Sequence, residues 1–279
     1  MFGKTRQAWY VQQWSDNEDA LRDAIVVKRV REIREQMPRI GTRKLHYMLT
    51  DTLQRHNISI GRNKLFDLLA DYGLLVRRRR RKRTNTTDSN HPFRKYPNLV
   101  RELQVLRPDH LWVSDITYLS LTDGFCYLSL ITDAYSRKIV GYCLHPTLKK
   151  EGPMQALKMA VADRVYRQPL MHHSDRGLQY CCGDYISLLE YSGISISMTE
   201  KGDPYENALA ERVNGILKSE FALDVDFDSF SKANEAVEKA INTYNQLRPH
   251  ASCDYLTPEQ AHQKQGLLPT KWKRRAVMV

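Results

Sequence analysis

The chain has no apolar run approaching the 18 residues a membrane-spanning helix needs, and its opening "MFGKTRQAWYVQQW" lacks the apolar core of a secretory signal. Both absences predict an intracellular protein with no membrane partner. Cysteine is scarce: Cys126, Cys143, Cys181, Cys182 and Cys253 include no C-x-x-C pair, and the vicinal Cys181 and Cys182 alone cannot build a tetrahedral zinc site. They read as reduced thiols of a cytosolic compartment, not as a disulfide framework. Internal repeats are also missing, which excludes a solenoid. What remains, 279 residues that are 42% hydrophobic and 27% charged, suits one large or two ordinary globular domains.

Acidic residues are in short supply in one part of the chain only. Residues 1–107 carry 24 Lys and Arg against 11 Asp and Glu, a net +13, whereas residues 108–279 carry 19 against 21, a net −2. A basic field that strong and that local attracts a polyanion, and without a membrane anchor the polyanion is nucleic acid.

The basic part reads as helical. "ALRDAIVVKRVREIREQM" places Leu21, Ala24, Ile25, Val30, Ile33 and Met37 at near-helical spacing, and Pro38 ends it. "GTRKLHYMLTDTLQ" predicts a second helix with Thr42 as N-cap and Leu45, Met48, Leu49 and Leu53 inward. "IGRNKLFDLLADYG" predicts a third, with Leu65, Phe66, Leu68, Leu69 and Tyr72 inward and Gly73 just past its end. Three short helices suit a helix-turn-helix, in which Arg62, Asn63 and Lys64 on the first turn of the last helix would face DNA; a plain helical bundle is the other reading. Seven consecutive basic residues follow: Arg77, Arg78, Arg79, Arg80, Arg81, Lys82 and Arg83. Such a block cannot pack in a core, and is expected as a solvated arm that meets a phosphate backbone. The expected organisation is a helical DNA-binding region at 1–75, a basic linker at 76–107, a catalytic core with following helices at 108–265 and a basic tail at 266–279.

From residue 108 the pattern changes to strands at 111–120, 125–132 and 138–145, a meander, followed by alternating helices and strands: α/β with a mixed sheet. The first strand, "HLWVSDITYLSL", carries one carboxylate. Alternation puts Asp115 on the face of Val113, Thr117 and Leu119, while Trp112, Ser114, Ile116 and Tyr118 point the other way. A carboxylate there needs a charge partner, hydrogen-bond donors or a metal. Asp175 stands just past the strand in "MHHSDRGLQY", at the carboxyl end where α/β sheets open a crevice. His172 and His173, adjacent on a strand, face opposite ways and cannot share one zinc ion. In "ENALAERVNGILKSEF", Asn207, Asn214, Gly215 and Lys218 fall within about 60° of Glu211 around a helix, opposite Leu209, Val213, Ile216 and Leu217. Three carboxylates on a strand, a strand end and a helix could converge on Mg²⁺ or Mn²⁺, and two such ions about 3.5–4 Å apart clamp the oxygens of a phosphoryl transfer.

"WVSDITY", "HSDRGLQY" and "KGDPYENALAERVNGILKSE", with 35 residues between Asp175 and Glu211, resemble the acidic triad of the transposase and retroviral-integrase superfamily. More closely, the chain resembles the second-reading-frame product of bacterial insertion sequences, over residues 20–265 and including the late "YNQLRPHASCDYLTPEQA". The resemblance implies a ribonuclease H-like mixed-sheet domain preceded by an all-α helix-turn-helix domain. It also implies Mg²⁺-dependent cleavage at element ends and strand transfer by a 3′-hydroxyl into target DNA. Asp115, Asp175 and Glu211 would be the catalytic metal ligands, and Asn214 and Lys218 would line the DNA side. Joining two ends implies a homo-oligomer assembled on DNA, near the bacterial nucleoid. The first-frame segment of that family, a second helix-turn-helix with a coiled coil, and the zinc module of retroviral integrases have no counterpart among these residues, which points to a first-frame partner or fusion. A DNA-binding subunit that occupies element ends without catalysing is the alternative.

Overall fold

The computed structural model describes residues 6–76, 91–200 and 207–269. The chain divides into two compact units, residues 1–80 and 81–279. Arg77 to Arg83 and most of the basic tail lie outside the described residues, as does the Gly-Asp-Pro stretch ahead of Glu211.

In the first unit, α1 (Arg6–Gln36) is followed by α2 (Thr42–Met48), α3 (Thr50–Arg55) and α4 (Arg62–Asp71). The core consists of Val26, Val27, Val30, Ile33, Met37, Ile40, Leu45, Leu49, Leu53, Leu65, Leu68 and Leu69. The second helix departs from expectation at its start. Gly41 is the N-cap, its carbonyl accepting from the Leu45 N–H, and Thr42 is already inside the helix and buried. The assignment also breaks at Leu49, between α2 and α3. Phe66 and Tyr72, expected inward, are 39% and 46% exposed, because Leu65, Leu68 and Leu69 form a stripe only three residues wide. Leu21 is exposed as well. Gly73 takes the left-handed backbone (φ 65°) that closes α4, as its position predicted.

The second unit is built on β1 (Leu111–Leu121), β2 (Gly124–Asp133), β3 (Ile139–His145), α5 (Glu151–Ala162), β4 (Leu170–Ser174), α6 (Leu178–Cys181), α7 (Gly183–Tyr191), β5 (Ile194–Met198), α8 (Ala208–Glu220), α9 (Phe230–Leu247) and α10 (Pro258–Ala261). The sheet order is β3-β2-β1-β4-β5, with β1–β2 and β2–β3 antiparallel and β1–β4 and β4–β5 parallel. This is the mixed, ribonuclease H-like sheet expected from the sequence.

The faces of β1 divide as the alternation requires. Trp112 and Ile116 join the core beneath α5 and α7, with Leu157, Tyr185 and Leu189, while Leu111 and Val113 join Ala134 and Ala210 on the other side. Val100, Leu103 and Val105 pack on that second cluster, and the Pro97 carbonyl accepts from Met198 N–H at the edge of β5. The second unit therefore reaches upstream of residue 108. Among the described residues, no helix is long and apolar enough to cross a membrane.

Gly141 on β3 shows how closely α5 is seated. A Cβ there would lie 2.2 Å from the Ala156 carbonyl oxygen and 2.9 Å from Ala160 Cβ. A backbone atom cannot move aside by changing rotamer, so Gly141→Ala is expected to cost about 1–3 kcal/mol. A thermal melt checks this; a midpoint equal to that of the wild type would show that α5 yields freely.

Candidate active site

The parallel ladder between β1 and β4 pairs Val113 with His173 and stops at that point. Two residues farther along, β1 has reached Asp115 and the chain leaving β4 has reached Asp175. Parity keeps both on the face of Val113, and strands lie about 4.8 Å apart. Two carboxylates thus come side by side where the sheet opens.

The edge that β1 exposes beyond Val113 is covered by α8 and the segment after it. Asn207 Nδ2 donates to the Ser114 carbonyl at 3.0 Å, Asn214 Nδ2 donates to Asp115 Oδ2 at 2.8 Å, and Phe227 N–H donates to the Ser120 carbonyl at 3.0 Å. Asp115 Oδ1 accepts from the Ile116 N–H at 2.9 Å. Asp175 Oδ1 accepts from the Gly177 N–H at 2.9 Å, a turn that a side chain at 177 would crowd, since its Cβ would stand 3.0 Å from that oxygen. Glu211, in the first turn of α8, is exposed to solvent.

The electrostatics follow from this arrangement. Burial, then the charge of Asp175, and more weakly that of Glu211, push the Asp115 carboxyl up to about 7, against the pull of the Asn214 and Ile116 hydrogen bonds. Each acid of the expected triad therefore registers at Asp115. Among the described residues, however, no three His, Cys, Asp or Glu side chains stand close enough together to enclose a metal ion. The oxygen donors of Asp115 and Asp175 and their mutual repulsion are of the kind that a hard divalent cation offsets.

Both residues that the resemblance placed on the DNA side make contacts with β1. Asn214 is buried, and its amide nitrogen donates to Asp115 Oδ2. Lys218 is half-buried, with Nζ 4.2 Å from the centroid of the Tyr118 ring. Burial lowers its pKa, and Asp115 and Asp224 partly restore it. Tyr118 and Asn207 were not singled out as partners. Tyr118 lies 100 residues from Lys218, beyond any local pattern, whereas the place of Asn207 on the polar stripe was a usable signal. Arg62, Asn63 and Lys64 form the exposed first turn of α4, whose N-terminus has no side-chain cap.

The histidines behave as their alternation required. His172 Nε2 lies 2.6 Å from Ser114 Oγ and 3.0 Å from the Tyr185 hydroxyl, and burial pushes its pKa down to about 3. His173 Nδ1 lies 2.9 Å from Ser197 Oγ.

Residues 106–204 and 192–258 each match the family described as "Integrase core domain", a span containing the whole carboxylate site. The insertion element IS600 uncharacterized 31 kDa protein of Shigella sonnei is 33% identical over 95% of this chain and 97% of its own length. A putative transposase for insertion sequence element IS986/IS6110 of Mycobacterium tuberculosis is 30% identical over 74% of this chain and 77% of its own. The chain belongs to the insertion-sequence transposases of the integrase superfamily. As a member it is a polynucleotidyl transferase. The fold of this transposase also matches the chain in a simian T-cell lymphotropic virus intasome structure, with a TM-score of 0.50 and 19% identity over 86% of this chain and 80% of that one.

Proposed function

We propose that the transposase cleaves DNA at the ends of an insertion sequence and joins them to target DNA, using Asp115, Asp175 and Glu211 to hold two Mg²⁺ or Mn²⁺ ions. The observation that carries this reading is the nearness of Asp175 to Asp115 at the mouth of the sheet, where burial and then the Asp175 charge push Asp115 up to about 7. A protein retains two repelling carboxylates at a strand end where a cation is to neutralise them. When bound, such ions activate an attacking hydroxyl and stabilise the leaving oxygen of a phosphodiester.

The chain's own residues do the rest. Asn214 and the Ile116 N–H fix the Asp115 carboxylate, the Gly177 N–H fixes Asp175, and α8 presents Glu211 from the solvent side. Arg62, Asn63 and Lys64 read end DNA from the first turn of α4, and Arg77 to Arg83 neutralise phosphates. Assembly of two ends requires more than one copy, with a first-frame segment as partner or fusion. The full chain, incubated with Mg²⁺ and a duplex carrying the ends of its own element, should nick at the element boundary and transfer that 3′ end to a second duplex. Binding without nicking under these conditions would leave only the role of an end-occupying subunit.

Lys218 holds a DNA phosphate in this reading, with the Tyr118 ring beside its ammonium. Lys218→Met keeps an apolar side chain of similar length and removes the charge. Strand transfer is expected to fall roughly 10-fold or more at low salt and less at higher salt, where the charge is screened, since a hydrogen bond to a charged group contributes about 1.5–3 kcal/mol. Unchanged activity across a salt series would take Lys218 off the DNA path.

A further inference from the structure

We infer that Arg248, with Glu220 and His250, is a positioning device for Glu211, so that the late Arg-Pro-His segment belongs to the catalytic apparatus although it touches no reacting atom. The inference rests on the catalytic reading above and adds residues to it.

The connection runs from the sheet to the helix through buried contacts. Asn245 on α9 is locked to β3 on both sides of one residue: the Ile139 N–H donates to Asn245 Oδ1 and Asn245 Nδ2 donates to the Ile139 carbonyl, each at 2.9 Å. The Tyr244 hydroxyl donates to the Arg137 carbonyl at 3.0 Å. The end of α9 thus takes its position from the sheet. Arg248, the next residue after that helix, is 2% exposed and forks onto Glu220, with Nε to Oε2 at 2.8 Å and an NH2 nitrogen to Oε1 at 2.9 Å. Its remaining nitrogen donates to His250 Nε2 at 2.7 Å, and its guanidinium carbon lies 5.7 Å from the centroid of Tyr244.

Glu220 is the last residue of α8, where a carboxylate opposes the helix dipole. An acid at that end is suited to an arginine partner and unsuited to helix stability. The backbone around the pair is also tightly constrained: Ala222, just beyond α8, and Asp254 and Tyr255, in the turn after His250, take left-handed conformations at φ 59°, 52° and 61°. Glu211 lies nine residues up α8, about 14 Å from Glu220 along the axis. Asn207 and Asn214 hold the start and middle of the helix against β1, and the Arg248 fork holds its far end. Releasing that end lets α8 tilt, and a misplacement of about 1 Å at a catalytic group can cost 100-fold in rate.

The test uses the full chain with Glu220→Gln, Arg248→Lys and the apolar pair Glu220→Leu with Arg248→Met, which leaves no buried charge unpaired if the single variants fold poorly. Two quantities are read at a temperature where circular dichroism shows each variant folded. One is the Mg²⁺ concentration for half-maximal thermal stabilisation without DNA, and the other is kcat and KM for nicking the end duplex. A positioning role raises the Mg²⁺ midpoint at least 5-fold and lowers kcat at least 10-fold with KM little changed, in the apolar pair as much as in the single variants. Folded variants with wild-type midpoint and kcat, however much lower their melting temperature, would overturn the inference. Asp115→Asn is the control: if it retains both Mg²⁺ stabilisation and nicking, the catalytic reading itself fails, and this inference with it.

Discussion

Asp115→Asn should abolish nicking and strand transfer, by at least about 1000-fold, and at the same time make the metal-free protein more stable above pH 7. The two effects share one cause. In the folded chain the Asp115 carboxyl titrates at about 7, held up by burial and by Asp175, whereas in the unfolded chain it titrates near the ordinary value of about 3.9. Between those two pH values the folded state holds a proton that the unfolded state has released. Stability therefore falls as pH rises from about 4 to 7, and the penalty is fully present above 7. Asparagine escapes it: its single oxygen keeps the Ile116 N–H donor, and its amide nitrogen then faces Asn214, whose side-chain amide turns over to present its oxygen.

Because Asp115 is only partly buried, water screens much of the repulsion, and the gain is about 1–2 kcal/mol, a few degrees in melting temperature. The advantage should vanish below pH 4. Mg²⁺ should stabilise the wild type and not the variant. Asp175→Asn and Glu211→Gln should be equally inactive, but Glu211→Gln, at an exposed position, should leave the metal-free melt nearly unchanged. Near-normal nicking by any one of the three would remove that residue from the site, and a wild-type melt for Asp115→Asn at pH 8 would show that the carboxylate pair is not strained.

The face of Asp115 was legible in the sequence because strand parity is a hard rule, and an acid just past a strand end marked Asp175; that the two stand on neighbouring parallel strands was not legible, because the pairing of β1 with β4 joins residues about 60 apart. The helices and strands from 108 onward were legible from their periodicity, with boundaries shifted by a few residues. The disposition of polar side chains on α8 was not. A helical wheel places Asn214 and Lys218 near Glu211, but what each touches depends on β1, about 100 residues away, which the wheel does not contain. The Glu220–Arg248 fork joins residues 28 apart and was hidden likewise. At Gly41 and Thr42 two acceptable caps stand next to each other, and propensity favoured the hydroxyl where the backbone used the glycine. Phe66 and Tyr72 were assigned inward on hydrophobicity alone, yet in a ten-residue helix the stripe of Leu65, Leu68 and Leu69 leaves them no buried face.

Replacing Arg77, Arg78, Arg79, Arg80, Arg81, Lys82 and Arg83 by glutamine in the full chain should weaken binding to any duplex and flatten its salt dependence. Each neutralised phosphate contributes about 0.9 to the slope of log affinity against log salt. If all seven residues meet the backbone, the slope becomes less steep by about 6, and the loss of affinity is greatest at low salt, where counterion release drives binding most strongly. Discrimination between end DNA and unrelated DNA should change little, because phosphate contacts carry no sequence information. Arg62→Ala with Asn63→Ala should do the opposite, narrowing the gap between end and unrelated DNA by about 1–3 kcal/mol for each base no longer read, with a slope change of about 1 at most. These exposed residues open α4, and the first turn of a recognition helix is what reaches base edges. Fluorescence anisotropy over a salt series, run on both duplexes with both variants, separates the two effects. A slope unchanged by removal of the basic run would reduce it to a connector, and discrimination unchanged by removal of the Arg62 and Asn63 side chains would move sequence reading away from α4.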